Sequence, residues 1–162
     1  MKLRTISKSE HETKHIAQTI ASCFNLGDLI LLDGDLGTGK TYFVKGFAEG
    51  IGSADPVTSP TFSLANFYSA RNGMELLHID LYRVESVDEF NDLGLTDFFP
   101  QTITVIEWGM KFAGIFDDYF SVSLAYCSDK KDAREITLSC TGEKHIATMN
   151  SIAQKLPNLI SC

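Results

Sequence analysis

The chain has 162 residues, of which 44% are hydrophobic and 22% are charged, a composition typical of a globular domain. That length suits one core, so we predict a single domain over residues 1–162, with residues from about 143 to 162 as a C-terminal helix or tail. The formal net charge of −7 and the presence of only four arginines argue against a protein that binds nucleic acid through a basic surface of its own.

The sequence carries no sign of a membrane or secretory destination. No apolar run approaches the length of a membrane span, and residues 1–4 lead into a polar segment instead of a signal peptide. The cysteines are scattered without a Cys-x-x-Cys pair, which indicates reduced thiols and not a zinc site or a disulfide framework. We therefore expect a cytoplasmic protein with no membrane partner. Cys23 and Cys140 lie in apolar-periodic segments, and we expect them in the core.

The first predicted element is a helix that opens at Ser9. Ser9 and Glu12 stand three residues apart, as in a capping box, and apolar residues recur at helical spacing as far as about Leu26. Glu12 and Thr13 occupy the first turn of this helix. A solvated helix start is the simpler interpretation of these two side chains, because acidic first turns are common.

The next predicted unit is a strand, a glycine-rich turn and a helix. Residues 29–33 form an apolar run of buried-strand type, and residues 41–51 carry apolar side chains at helical spacing. Between them stands the string Gly34-Asp35-Leu36-Gly37-Thr38-Gly39-Lys40-Thr41. Its spacing and its flanking elements are those of a phosphate-binding P-loop.

This turn predicts the binding of a nucleoside triphosphate. Its glycines let successive backbone N–H groups line a concave nest at the positive end of the following helix. Lys40 is expected to reach the β- and γ-phosphates, and the Thr41 hydroxyl is expected to bind Mg²⁺. We expect the nucleotide to contact the loop and the first helical turn, namely Asp35, Leu36, Gly37, Thr38, Gly39, Lys40, Thr41 and Tyr42.

A loop and a hairpin follow the P-loop helix. Residues 53–62 hold two prolines and several hydroxyls, and a γ-phosphate with Mg²⁺ can order a loop in this position, with Thr61 among the candidate hydroxyls. Asn72 and Gly73 separate two β-type runs, which is a strong hairpin signal. The second run ends in Asp80, at the position of a Walker-B carboxylate that binds Mg²⁺.

A short helix and a third strand come next. Ser86 and Glu89 form another capping pattern, and residues 102–106 read as a strand that ends in Glu107. If the strands that end in Asp80 and Glu107 run parallel to the P-loop strand, both carboxylates face the same crevice as the P-loop. Glu107 is then a candidate for holding Mg²⁺ or for orienting the attacking water.

The last predicted elements are a hairpin and a closing helix. Residues 120–126 and 135–140 look like strands, and residues 145–156 carry apolar side chains at helical spacing. Arg134 is a candidate for an arginine finger or a phosphate contact, although a solvated side chain is the simpler interpretation. Together the elements predict an α/β fold, a P-loop NTPase-like three-layer sandwich with a central mixed, largely parallel sheet.

The residues alone favour an ATPase with in-line attack on the γ-phosphate and with Lys40, Asp80 and Glu107 as its catalytic residues. A GTPase would need an Asn-Lys-x-Asp string, and the sequence has none. A small-molecule kinase is an alternative, although such enzymes usually place several arginines around the phosphate acceptor. A nucleotide-dependent assembly module with little turnover is another; it would keep Lys40 and Thr41 but tolerate the loss of Glu107.

Four strings, taken in order, resemble one protein family. They are the P-loop, Thr-Ser-Pro-Thr-Phe at 58–62, His-Ile-Asp-Leu-Tyr-Arg at 78–83 and Ile-Glu-Trp at 106–108. With this order and spacing, the chain resembles the TsaE (YjeE) family of bacterial ATPases over nearly its whole length. The resemblance implies ATP and Mg²⁺ as cofactors and a role in making N6-threonylcarbamoyladenosine beside the anticodon of tRNA. It also implies the TsaB–TsaD heterodimer as the partner, with tRNA reached only through that complex.

The resemblance further implies roles for individual residues. Asp80 and Glu107 become metal-binding or catalytic carboxylates beside the P-loop. Glu12 and Thr13 fall where the family's opening helix comes near the nucleotide base. Arg134 falls in the family's late Asp-Ala-Arg string, here residues 132–134, and the loop at 58–62 looks like a nucleotide switch.

Overall fold

The computed structural model describes residues 1–128, 130–156 and 160–161. Its strands are β1 Lys2–Ser7, β2 Leu29–Asp33, β3 Ala65–Ser69, β4 Glu75–Asp80, β5 Ile103–Glu107, β6 Phe120–Cys127, β7 Lys130–Cys140 and β8 Ile160–Ser161. Its α-helices are α1 Glu10–Ala21, α2 Lys40–Gly50, α3 Val87–Asp92 and α4 Ile146–Lys155. Short 3-10 helices cover Arg71–Gly73, Leu95–Gln101, Gly109–Ile115 and Glu143–His145.

The eight strands of the described residues belong to one sheet, in the order β3-β4-β5-β2-β6-β7-β1-β8. Its centre is parallel, because β4, β5, β2 and β6 pair in the same direction, and the strands on either side of this block are antiparallel. The carboxyl ends of β2, β4 and β5 therefore lie at one edge of the sheet. This arrangement confirms the predicted P-loop-type α/β fold with its mixed sheet.

The core has two parts, one on each face of the sheet. Successive strand residues point to opposite faces, so Leu32 and Val105 belong to one cluster while Leu31 and Ile106 belong to the other. The first cluster packs against α1, α2 and α4, and the second packs against α3 and the neighbouring 3-10 helices. Cys23 and Cys140, predicted in the core, are half-buried and pack at the edge of the first cluster.

The P-loop helix α2 lies unusually close to α1. A Cβ atom at Gly46 would stand 2.0 Å from the carbonyl oxygen of Lys14, and one at Gly50 would stand 2.3 Å from that of Gln18. Any larger residue at either position would push the helices apart. The two glycines on one face of α2 therefore fix its position against α1, and with it the position of the P-loop.

Helix α1 begins as predicted but ends early. The Ser9 hydroxyl accepts from the N–H of Glu12, and the Glu12 carboxylate accepts from the N–H of Lys8 at 2.6 Å. The helix stops at Ala21 instead of near Leu26. The residues that follow form a tight turn, in which the Asp28 carboxylate accepts from the N–H of Asn25.

Strand β1 was not predicted, whereas the strands and helices with strong local signals were. In β1 only Leu3 and Ser7 are fully buried, and its antiparallel partner β7 is separated from it by more than a hundred residues in sequence. The closing helix is confirmed as α4. Residues 157–159 and 162 of the predicted C-terminal helix or tail lie outside the described residues.

Candidate functional site

The loop between β2 and α2 has the backbone that a phosphate nest requires. Gly37 and Gly39 adopt φ values of +78° and +101°, a region that other residues rarely enter. Gly34 is confined as well, since a Cβ there would lie 2.5 Å from the carbonyl oxygen of Leu124. No side chain in the described part of the chain caps the N-terminus of α2. The N–H groups of its first turn therefore remain available to an anion.

Lys40 spans the mouth of this loop. Its ammonium donates to the carbonyl oxygens of Gly34 at 2.6 Å and Asp35 at 3.0 Å, and it stands 4.4 Å from the centre of the Trp108 ring. Burial lowers the pKa of Lys40, and the neighbouring carboxylates, Glu107 first among them, offset this only in part. The lysine is thus held by neutral acceptors that a phosphate can replace.

Asp80 and Glu107 stand side by side at the ends of β4 and β5. They are paired in the register of these parallel strands, and each is only 3% exposed. Asp80 accepts from the Thr61 hydroxyl and from the N–H of Tyr82, both at 2.8 Å. The contact with Thr61 ties the loop at 58–62 to the carboxylate, as expected for a loop that responds to the occupant of the site.

Glu107 has a buried partner that sequence reasoning missed. The Nε2 atom of His78 lies 2.8 Å from a carboxylate oxygen of Glu107, and the His78 side chain is fully buried. The other ring nitrogen of His78 has no hydrogen-bond partner among the described residues. The sequence places His78 two residues before Asp80, so both side chains point to the same face of β4, but the contact with Glu107 depends on the register of β4 against β5.

Most of the predicted site residues line one cavity. It has a volume of about 410 Å³, within the range of pockets that bind small molecules. Its lining comprises Glu10, Leu36, Gly37, Gly39, Lys40, Thr41, Tyr42, Ser59, Thr61, Asp80, Tyr82, Glu107 and Trp108. The P-loop, both carboxylates and Thr61 therefore face the same space.

The opening helix meets this cavity through a different residue from those expected. The Thr13 hydroxyl is buried and bonded to the Ser7 hydroxyl at 2.6 Å, and Glu12 caps the start of α1. Neither side chain lines the cavity, whereas Glu10 does. The Thr13 hydroxyl is bonded inside the fold, and the contact of Glu12 and Thr13 with the nucleotide stays a prediction.

Three other expected residues support the P-loop from outside the cavity. Thr38 is buried and donates its hydroxyl to the carbonyl oxygen of Asp35 at 2.8 Å. Asp35 is exposed and contributes the carbonyl that Lys40 contacts. The Arg134 guanidinium donates from Nε to the carbonyl oxygen of Thr38 at 3.1 Å and from Nη1 to carbonyls of its own strand.

A tyrosine that the sequence did not indicate completes this outer support. The Arg134 guanidinium lies 4.5 Å from the centre of the Tyr126 ring, and the Tyr126 hydroxyl donates to the carbonyl oxygen of Leu36 at 2.9 Å. Strands β6 and β7 thus hold the P-loop backbone through Tyr126 and Arg134. The predicted nucleotide contact of Arg134 stays a prediction.

The donor set fits Mg²⁺ bound together with a triphosphate. Thr41, Asp80 and Glu107 offer hard oxygen ligands, the type that Mg²⁺ prefers. Among the described residues there is no cluster of three or more His, Cys, Asp or Glu side chains that could hold a metal ion by themselves. Such a site matches an ion that takes most of its ligands from phosphates and water.

None of the described helices could cross a bilayer, since none is long and apolar enough.

Comparison with protein families matches residues 7–136 to the model described as "Threonylcarbamoyl adenosine biosynthesis protein TsaE".

Individual relatives agree with that match. The tRNA threonylcarbamoyladenosine biosynthesis protein TsaE of Bacillus subtilis is 38% identical over 149 residues, covering 90% of this chain and 89% of the relative. The TsaE protein of Treponema pallidum is 36% identical over 139 residues, covering 85% and 100%. The crystal structure of YdiB from Bacillus subtilis superposes with a TM-score of 0.76 at 29% identity and covers 95% of both chains.

Proposed function

Because this chain belongs to the TsaE family, which takes part in tRNA threonylcarbamoyladenosine biosynthesis, we propose that it is a slow, Mg²⁺-dependent ATPase that supports this modification. One observation carries the proposal: Lys40, Thr41, Asp80 and Glu107 line the same cavity, although they come from three separate segments of the chain. In P-loop enzymes, this combination of residues binds a nucleoside triphosphate together with its cation.

The chain's own residues divide the work in the following way. When the nucleotide binds, the Lys40 ammonium leaves the carbonyls of Gly34 and Asp35 for the β- and γ-phosphates. This exchange is favourable because hydrogen bonds to a charged acceptor are stronger than those to neutral ones. The N–H groups of the P-loop and of the first turn of α2 bind the phosphate oxygens. Thr41 and Asp80 would hold Mg²⁺, which would supply positive charge to neutralise the phosphates. Glu107, fixed by His78, orients the attacking water.

The positions of the arginines lead us to expect slow ATP hydrolysis by the isolated chain. None of them lines the cavity within the described part of the chain, and Arg134 is engaged with the carbonyls of Thr38, Lys131 and Ala133. A missing arginine finger costs P-loop enzymes roughly 10³–10⁵ in rate. Faster ATP hydrolysis then depends on a partner, for which we propose the TsaB–TsaD heterodimer. We propose that the chain acts in the cytoplasm and reaches tRNA only through that complex.

Two alternatives are distinguished by the same cavity. A small-molecule kinase would need an acceptor site with arginines, and the described lining contains none. A nucleotide-dependent assembly module with little turnover would bind ATP without using Glu107. The burial of Glu107 against His78 favours hydrolysis, since a purely structural site has no need of an oriented carboxylate facing the cavity.

Reconstitution of the tRNA modification tests the proposal. Purified TsaB, TsaD, tRNA and the threonylcarbamoyl donor are incubated with this chain, with its Lys40→Ala variant or with neither, and the modified adenosine is counted over many turnovers. We expect sustained turnover only with the unaltered chain. Lys40→Ala should also abolish tight ATP binding, since it removes the phosphate-binding ammonium. Equal yields in all three reactions would contradict the proposed role.

A further inference from the structure

The segment that follows β4 carries a concentrated negative charge that the ATP site does not use. Residues 84–101 contain five acidic side chains and no lysine or arginine. This stretch includes α3 and the 3-10 helix Leu95–Gln101. All five carboxylates are exposed on the same segment of the fold, and they are Glu85, Asp88, Glu89, Asp92 and Asp97.

An apolar groove lies beside these carboxylates. Phe62 is 83% exposed, an unusual degree for a large aromatic side chain, and the guanidinium of Arg83 lies 4.5 Å from the centre of its ring. A depression of about 420 Å³ is lined by Phe62, Leu64, Arg83, Val84, Glu89, Asp92 and Leu93. We call this groove, together with the exposed carboxylates of residues 85–97, the α3 face.

The α3 face is joined directly to the ATP site. Phe62 follows Thr61, whose hydroxyl donates to Asp80. Leu64, in the groove, adopts φ +67°, a strained value for leucine, and its carbonyl oxygen accepts from the N–H of Asp80 at 2.9 Å. An occupant of the groove would therefore act on residues 61–64, which contact Asp80 through the Thr61 hydroxyl and the Leu64 carbonyl oxygen.

We propose that the α3 face is the docking surface for a protein partner that inserts an apolar side chain beside Phe62 and faces the carboxylates with lysine or arginine. The charge selects this class of occupant, because nucleic acid and anionic lipid would be repelled by five exposed carboxylates. A second copy of this chain is disfavoured for the same reason, given its net charge of −7. The inference rests on the proposed function, in which the partner is the TsaB–TsaD heterodimer.

Coupling to the nucleotide follows from the shared backbone. The partner touches Phe62 and Leu64, and the site holds Thr61 and Asp80, so partner affinity and MgATP affinity change together and by the same factor. Because charge pairs contribute to the contact, association slows as the salt concentration rises.

The test measures binding of the full chain to purified TsaB–TsaD by calorimetry, with and without MgATP. Asp92→Lys is the informative variant, since a lysine in the last turn of α3 suits the helix dipole and keeps the fold. We expect it to raise the Kd for TsaB–TsaD at least about tenfold, through charge repulsion. Phe62→Ser should raise it about 30-fold, because an apolar anchor is lost.

Glu143→Lys is the matched control, an equal charge reversal at an exposed glutamate near α4. Glu143→Lys should bind TsaB–TsaD with the same Kd as the unaltered chain. Asp92→Lys should bind MgATP with the same Kd as the unaltered chain. If the unaltered chain binds the heterodimer and Asp92→Lys and Phe62→Ser bind it equally well, the α3 face is not the docking surface, while the proposed function stands. If the unaltered chain does not bind the heterodimer at low salt, the proposed partnership itself is wrong and the inference falls with it.

Discussion

Replacing His78 by leucine should weaken both the fold and the ATPase reaction. Leucine has a similar volume but cannot donate the bond of 2.8 Å from Nε2 to Glu107, so a carboxylate that is 3% exposed loses its buried donor. Hydrogen bonds to charged groups contribute about 1.5–3 kcal/mol, so we expect a comparable loss in the free energy of unfolding. For a chain of this length, that loss corresponds to a fall in Tm of roughly 4–10 °C.

The glutamine variant separates the hydrogen bond from the packing. The side-chain N–H₂ of His78→Gln can reach the position of Nε2 and should recover most of the stability. The assay is urea denaturation of the unaltered chain and both variants, followed by single-turnover ATP hydrolysis. We expect His78→Leu to slow hydrolysis about tenfold or more, in line with the loss of a positioning bond, and to leave the Kd for MgATP nearly unchanged. If the His78→Leu variant is as stable as the unaltered chain, or if His78→Gln loses as much stability and activity as His78→Leu, the bond does not position Glu107.

Three further changes have defined outcomes. Glu107→Ala should lower the single-turnover rate of ATP hydrolysis about 100-fold while sparing the Kd; equal losses in both would place Glu107 in binding. Tyr126→Phe removes the hydroxyl that donates to Leu36 and should weaken ATP binding about three- to tenfold by calorimetry, whereas an unchanged Kd would mean that the P-loop needs no such support. Burial lowers the pKa of His145, so the unfolded chain takes up its proton first as the pH falls below about 6.5, and stability should decline there. Denaturation of His145→Gln should show a weaker dependence between pH 7 and 5, and an identical dependence would contradict this.

Local signals explain what the sequence could predict. The P-loop is contiguous, and its strand, turn and helix are coded within about 25 residues, so the proposed site of phosphate binding follows from the string itself. Asp80 and Glu107 follow from a general rule, since each closes an apolar strand and parallel strands end at one edge. That rule is enough to bring both carboxylates to the P-loop without knowledge of their exact contacts.

Contacts that depend on the register of distant strands could not be predicted. The bond between His78 and Glu107 joins residues 29 apart, and the support of Leu36 by Tyr126 joins residues 90 apart. Strand β1 depends on β7 in the same way. The bond between the hydroxyls of Thr13 and Ser7 likewise depends on the fold, because it joins helix α1 to strand β1.

Crystals grown with Mn²⁺ and a non-hydrolysable ATP analogue would test most directly whether the P-loop and the two carboxylates serve one nucleotide. We predict an anomalous peak within about 2.5 Å of the Thr41 hydroxyl, with Asp80 and Glu107 around it directly or through one water. The Lys40 ammonium should have left Gly34 and Asp35 for the phosphates. A metal peak away from both carboxylates, or a triphosphate outside the P-loop, would contradict the proposed site.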